Sequence, residues 1–415
     1  MSRVNPAPPT PATLDAECRR LIAFAMGAVD PRGGFGWMDD AGVPDPTQPV
    51  LLLINTRMTH VFGLAHLLGT DGALALAERG VQALTGLLHD DTNGGWWSAV
   101  DADGNPLADQ KLAYDHAFVL LAGSTAVQAS VPGGEQLLAE AVAMCDEHFW
   151  DEEAGACVEQ WDGAWQQLDG YRGANANMHS VEAFLAVADA TGDPRWLDRA
   201  SRIAGRLIDA EARAHGWRLP EHYDATWTPD LDYARDNPDD QFRPFGSTVG
   251  HGLEWSRLLL HLDAALARGG GSPDWLVPAA RSLFETAVRD GWHRDGTDGF
   301  VYTVDWDGDP VVRQRMHWVV AEGMAAAAAL HRGTGDPAYL DQLAQWWQYT
   351  DRHLLDLEGG WRHELDPANR PAATVWPGKP DAYHAVQAML VPRLPLAPGM
   401  AAALRQNLLE APRGE

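Results

Sequence analysis

Cysteine is scarce in this 415-residue chain. The three present, Cys18, Cys145 and Cys157, cannot build a paired disulfide framework, and none sits in a CxxC arrangement. Basic residues are also few: 31 Lys and Arg stand against 58 Asp and Glu, a formal net charge of -27. Such an excess of acid repels phosphate backbones and excludes nucleic acid as an expected partner. The acids are scattered and not massed in a tail, which is the pattern of a solvated surface. Long apolar runs are missing too. The stretch Ala325 to Leu330 soon meets His331 and Arg332, far short of a membrane crossing. The opening Met1 to Pro9 has no apolar run of signal-peptide length, so the expected setting is the cytoplasm, with no membrane partner. Absent as well are HExxH, a Cys/His cluster, a Gly-rich phosphate loop beside a strand and a G-x-S-x-G elbow. The expectation is a protein with no organic cofactor and no metal, although distant residues can still assemble a metal site.

What the chain does have is a large apolar fraction, 46%, and eighteen tryptophans. Bulky aromatics fill a wide core, and some indole faces suit the C–H faces of a sugar; about two thirds of them are assigned to the core. Apolar residues at helical spacing predict helices at 12–28, 57–69, 72–89, 112–129, 134–149, 177–191, 194–210, 247–267, 273–290, 316–333, 336–355 and 381–391, with a terminal piece near 397–409. Short turns join partners: Gly69-Thr-Asp-Gly72, Thr191-Gly-Asp-Pro194 and Thr334-Gly-Asp-Pro337. Gly suits the left-handed helix end, Asp the next cap and Pro the next first turn, which makes the partners antiparallel. A second phrase recurs after the partner helix: Gly33-Gly-Phe-Gly-Trp37, Gly94-Gly-Trp-Trp97, Gly299-Phe300 and Gly359-Gly-Trp361, followed by Asp39, Asp101, Asp305 and Glu364. These read as β-like hairpins. Twelve helices with alternating short and long connections imply an all-α fold, an (α/α)6 barrel of six helical hairpins with short β-hairpins in its long loops, in one domain over 1–415. An open solenoid of helix pairs is the rival. Against it, the ends show no polar capping repeat and nearly every unit carries a long loop.

Polar residues gather where alternate helices begin, the positions a toroid points at its central cavity. Asn55 to His60 opens one helix, Tyr171 to Glu182 another, and Phe245 to Trp255 a third. Met316 to Glu322 and Lys379 to Gln387 complete the set. His251 and Glu254, three apart, share one helical face, so the carboxylate can orient the imidazole. An ordinary helix-start histidine beside a solvated acid is the alternative. His384 follows Pro380 and Asp381 at a helix start, where, taken alone, a satisfied structural histidine is the commoner reading. Asn175 and His179, four apart, suit sugar hydroxyls; helix capping by Asn175 is the other reading. Arg57 is either a substrate clamp or the partner of one of the many acids in a salt bridge. Trp318 and Glu322 face together on an Ala-rich helix, which also suits close helix packing. His60, His66, His89, His116 and His148 have no such company and are assigned to core or surface.

Tyr171-Arg-Gly-Ala-Asn-Ala-Asn-Met-His179, His251-Gly-Leu-Glu254-Trp255 and Trp376-Pro-Gly-Lys-Pro-Asp-Ala-Tyr-His384 resemble the N-acylglucosamine 2-epimerase superfamily, from Arg57 to the last inner helix. Lys-Pro-Asp-x-Tyr-His is similar to its aldose-ketose isomerase branch, which includes mannose and sulfoquinovose isomerases; the cellobiose epimerase branch differs before its corresponding histidine. The resemblance implies the (α/α)6 barrel, which agrees with the helix count. It also implies a monosaccharide substrate, a catalytic pair at His251 and His384, and pocket positions at Arg57, Asn175, His179, Glu254 and Glu322. The expected reaction interconverts D-mannose and D-fructose, with D-lyxose and D-xylulose as a second pair, through a cis-enediolate. In this reading His384 carries the proton between C2 and C1, and His251, polarised by Glu254, opens the ring. Imidazole, with a pKa of about 6.5, gives and takes protons near neutrality. A sulfoquinovose isomerase and a 2-epimerase are alternatives within the family. An (α/α)6 glycoside hydrolase and a non-catalytic helical-repeat binding protein are alternatives outside it.

Overall fold

Two kinds of helix alternate along the chain, and burial tells them apart. In the computed structural model, which describes residues 7–411, the outer series is α1 (Pro11–Ala25), α3 (Ala73–Leu84), α5 (Gly134–Met144), α7 (Arg195–Ala204), α9 (Leu276–Gly291) and α11 (Ala338–His353). Each buries one stripe and solvates the other, as α3 does with Ala73, Ala77, Gly80, Val81 and Leu84 inside. The inner series is α2 (Leu52–Leu67), α4 (Ala113–Gln128), α6 (Ala174–Thr191), α8 (Val249–Arg268), α10 (His317–Thr334) and α12 (Tyr383–Leu390). These are buried nearly all round; every residue of α10 from His317 to Leu330 is inside. A short α13 (Met400–Arg405) packs on α2, α4 and α6. The last turns of α5 and α7 widen into π-helix, Cys145–Phe149 and Gly205–Ala212, which accounts for their longer predicted spans.

The inner helices touch in the order α2, α4, α6, α8, α10, α12 and back to α2. That closure makes a ring and overturns the solenoid alternative. It is pinned at the seam, where Lys379 N–H donates to Met38 O at 3.0 Å and Trp361 Nε1 donates to Glu17 at 2.7 Å. The predicted helix-to-helix turns are present, with Gly69, Gly192 and Gly335 at φ 78°, 72° and 74°. Asp193 and Asp336 accept from the N–H groups of Arg195 and Ala338 at 3.0 and 2.9 Å. Asp71 does not cap its helix; left-handed Gly72 takes that place.

Six tight hairpins stand at one end of the ring, each turning on an aspartate: Asp39, Asp101, Asp162, Asp224, Asp305 and Asp366. Asp101 and Asp305, for example, accept N–H groups two and four residues ahead at 2.9–3.0 Å. In the last hairpin the turn acid is Asp366, not Glu364. Glu364 instead accepts from Val375 and Trp376 N–H at 2.7 and 2.8 Å and anchors the loop above the ring.

These hairpins also start the inner helices. Leu52, Ala113, Ala174, Val249 and His317 donate their N–H groups to the carbonyls of Ser98, Glu159, Glu221, Tyr302 and His363 on the next hairpin. The orphan first N–H of these five helices is thus satisfied by a neighbour and not by a side-chain cap, whereas Tyr383 N–H of α12 donates to Asp381 at 2.9 Å. Consequently α2 begins at Leu52 and not at the predicted 57, and α6 at Ala174 and not at 177. Asn55 and Asn177 staple two repeats in the same way. Asn55 accepts from Phe35 N–H at 2.8 Å and donates to Phe35 O and Leu51 O; Asn177 does so with Cys157 and Gly173.

Candidate active site

The hairpin end of the ring opens into a cavity of about 580 Å³, its mouth included, within the range of small-molecule sites. His251, His384, Arg57, Asn175, His179, Glu254 and Trp318 all line it. The side chains singled out on five separate inner helices therefore converge, because each lies in the first turns of its helix at the same end of the barrel. Glu322 is the exception: it lies below the lining and reaches the cavity only through His384.

Both imidazoles are held by buried carboxylates. His384 Nδ1 lies 2.9 Å from Glu322 Oε1, and His251 Nδ1 lies 2.9 and 3.0 Å from the two oxygens of Glu221. The partner expected for His251 was Glu254. A hairpin residue takes that role, because Glu221 comes up beside the start of α8 and also accepts from Thr248 N–H at 3.2 Å. An Nδ1–H donated to a carboxylate fixes the tautomer and leaves Nε2 of each ring for other work. Trp318 bridges the pair, its ring 5.4 Å from that of His251 and 5.6 Å from that of His384.

Burial holds His384 well below the ordinary imidazole range, and the Arg57 guanidinium adds to the effect. Burial likewise takes His179 down to about 4. Both rings are neutral at pH 7. Arg57 is fixed by Asp381 at 3.2 Å and the Tyr114 hydroxyl at 3.0 Å, and it lies over the faces of Phe118 and Tyr383. Burial disfavours its charge, but Tyr114 and Asp381 more than restore it. Asn175 caps nothing; its Oδ1 is buried without a partner at the cavity wall. His60 donates to or accepts from Thr125 at 2.6 Å, and His116 binds the Leu112 carbonyl at 2.8 Å; both are core residues.

At the floor and below it, Glu254, Glu182 and Glu322 surround Arg257. Its Nε donates to Glu322 at 2.9 Å, and its Nη2 lies 3.5 Å from Glu254 and 3.6 Å from Glu182. His179, Glu182 and Glu254, and also Glu254, Glu322 and His384, are close enough to face a common ion. The guanidinium already supplies the fixed cation of this layer. Sequence reasoning missed Glu221, Arg257, Tyr114 and Asp381, and it also missed Phe242 and Trp376, whose rings meet at 5.3 Å by the mouth.

The N-acylglucosamine 2-epimerase (GlcNAc 2-epimerase) family profile matches residues 33–388. A D-mannose isomerase of Thermobifida fusca is 50% identical over 395 residues, 95% of this chain and 96% of that one. A D-mannose isomerase of Pseudomonas cannabina pv. alisalensis is 48% identical over 94% of each chain. A crystal structure of a D-mannose isomerase is similar with a TM-score of 0.85 at 30% identity, covering 91% of this chain and 96% of that one.

Proposed function

The chain belongs to the N-acylglucosamine 2-epimerase family, and from that premise we propose that it is a sugar isomerase interconverting D-mannose and D-fructose. One observation carries the chemistry: two imidazoles, each anchored through Nδ1 to a buried carboxylate, face one cavity across Trp318. His384, neutral and with Nε2 free, takes the C2 proton of the open-chain aldose. The C–H electron pair forms the C1=C2 bond of a cis-enediolate, and O1 gains charge or a proton. The proton then returns from His384 to C1, O2 loses its own, and the C2 carbonyl of the ketose results. His251 serves the oxygens, first at ring opening and then in moving the O1 and O2 protons. Arg57 offers the developing negative charge a charge-assisted partner, and its buried Nε has no protein acceptor. His179 and Asn175 suit the remaining hydroxyls.

An anionic sugar fits less well. The lining contributes one guanidinium, Arg57, and Asp381 already neutralises it at 3.2 Å. A 2-epimerase would share every step up to the enediolate and differ only in returning the proton to C2 from the other face. Incubation with D-mannose in heavy water, followed by NMR, tests the reading. Fructose carrying solvent deuterium at C1 is expected, at least in part, because the proton rests on an exchangeable nitrogen. No ketose, or ketose with no solvent hydrogen at C1, overturns it.

A further inference from the structure

Glu182, Glu254 and Glu322 reach the same layer from α6, α8 and α10, all nine-tenths or more buried, with the single guanidinium of Arg257 among them. Their surroundings are unequal. Glu322 receives Arg257 Nε on one oxygen and His384 Nδ1 on the other, both at 2.9 Å. Glu182 receives the Tyr383 hydroxyl and, at 3.2 Å, Gln387 Nε2. Glu254 receives no hydrogen bond: both of its oxygens are buried without a partner, and the nearest donors, Arg257 Nη2 at 3.5 Å and His179 Nδ1 at 3.8 Å, stand beyond hydrogen-bond geometry, while the short bond of Arg257 goes to Glu322. Three close carboxylates sharing one cation cannot all ionise, and the one without donors has most to lose by doing so.

We infer that Glu254 is a neutral carboxylic acid in the resting protein and donates its hydrogen bond to a substrate oxygen in the cavity it lines. Burial and the charge of Glu322 both push its carboxyl well above the ordinary range, in keeping with this. A neutral donor serves an enediolate better than a carboxylate does, because an ionised Glu254 would stand as a like charge beside the charge that develops on O1 and O2. No bond to hydrogen breaks at Glu254; it positions and stabilises, and His384 moves the proton. The role toward substrate rests on the isomerase reading, while the place of the proton does not.

The test has two arms. Infrared difference spectra of the resting protein, Glu254→Gln against wild type, are taken at about pH 8.5, well above the carboxyl groups of Asp115 (about 6) and Glu159 (about 7). The expected result is a protonated-carboxyl C=O band, sensitive to deuterium exchange, present in wild type and missing in the variant. If Gln at 254 prevents folding, Glu254→Met, of similar volume and without charge, replaces it. In the kinetic arm Glu254→Gln, which keeps a donor, loses no more than about tenfold in kcat/KM, whereas Glu254→Ala loses about a hundredfold or more, the scale of one transition-state donor. No difference band, or a folded Glu254→Gln as impaired as Glu254→Ala, overturns the inference. The infrared arm uses no sugar, so its failure leaves the isomerase reading standing, and a wild type inactive on mannose leaves the proton's place standing.

Discussion

Nδ1 of His251 lies 2.9 Å from Oε1 of Glu221, thirty residues away in sequence and on a different repeat. The carboxylate holds the ring in one tautomer and one orientation, much as a buried acid orients the base of a hydrolytic triad. Glu221 itself does not line the cavity, so it acts through His251 as a positioning residue. Glu221→Gln is expected to lower kcat by about a hundredfold, within the range of a lost acid–base contribution, with KM little changed. A proportionate rise in KM with kcat intact would mean that Glu221 only shapes the pocket.

Glu221 was legible in the sequence, but only through the repeat. The residue three before each turn aspartate is Gly36, Ser98, Glu159, Glu221, Tyr302 or His363, and the carbonyls of the last five start inner helices. With all six aspartates aligned, Glu159 and Glu221 are the two acids at this position, and Glu221 is the one beside the start of α8. The Gly-aromatic pair before Asp224, Gly216-Trp217, stands two residues farther from its aspartate than Trp96, Phe300 and Trp361 do from theirs, which hides this hairpin and leaves Glu254, on the helix itself, as the visible acid. The helices, their short turns and the convergence of His251, His384, Arg57 and His179 were readable because periodicity and turn glycines are local. The starts of α2 and α6 were not, because their first N–H groups bond to a distant hairpin. Arg257 gave one overlooked sign, a guanidinium in mid-helix directly before the apolar run Leu258 to Leu260.

His384→Ala should abolish interconversion, a loss of about 10²- to 10⁴-fold or more, with the helical circular dichroism retained. The Glu322 oxygen left without its donor would cost about 1–3 kcal/mol of stability. Because burial keeps this imidazole neutral, the loss of kcat/KM caused by its own protonation should set in well below pH 6.5. Near-normal turnover by His384→Ala would remove it from the proton path.

Arg57 and Asp381 form a buried pair at 3.2 Å, so their structural and functional parts can be separated. Arg57→Met alone strands the Asp381 charge and should destabilise the fold by about 3–5 kcal/mol. Adding Asp381→Leu should restore most of that stability, by thermal melt, without restoring turnover. Recovery of activity in the double variant would show that Arg57 serves only to neutralise Asp381.

Asn177 makes three hydrogen bonds, two that tie Cys157 of a hairpin to α6 and one to Gly173 at the start of that helix. Asn177→Ala orphans the buried Cys157 N–H and should cost about 2–3 kcal/mol, with kcat nearly unchanged. A loss confined to kcat would place Asn177 in the chemistry.

Acid should unfold this protein through its histidines. Burial holds His60, His179 and His261 at about 4 and His116 and His363 at about 3, while His317 and His384 lie well below the ordinary value. Between pH 6.5 and 4 the unfolded chain binds protons at these sites and the folded chain does not, so stability is present above 6.5 and is lost as pH falls. Each group shifted to about 4 contributes up to about 3 kcal/mol. Asp115, Glu159, Asp189, Glu254 and Glu322 act the other way, since their raised folded values favour the native state as pH falls. The seven histidines outnumber these five carboxyls, and His148, His222 and His353 are lowered as well, so a net loss is expected. Melting temperatures recorded from pH 7.5 down to 4.5 should therefore fall, and a flat or rising series would mean that these imidazoles are already protonated in the folded barrel, which would also deprive His384 of its place as a base.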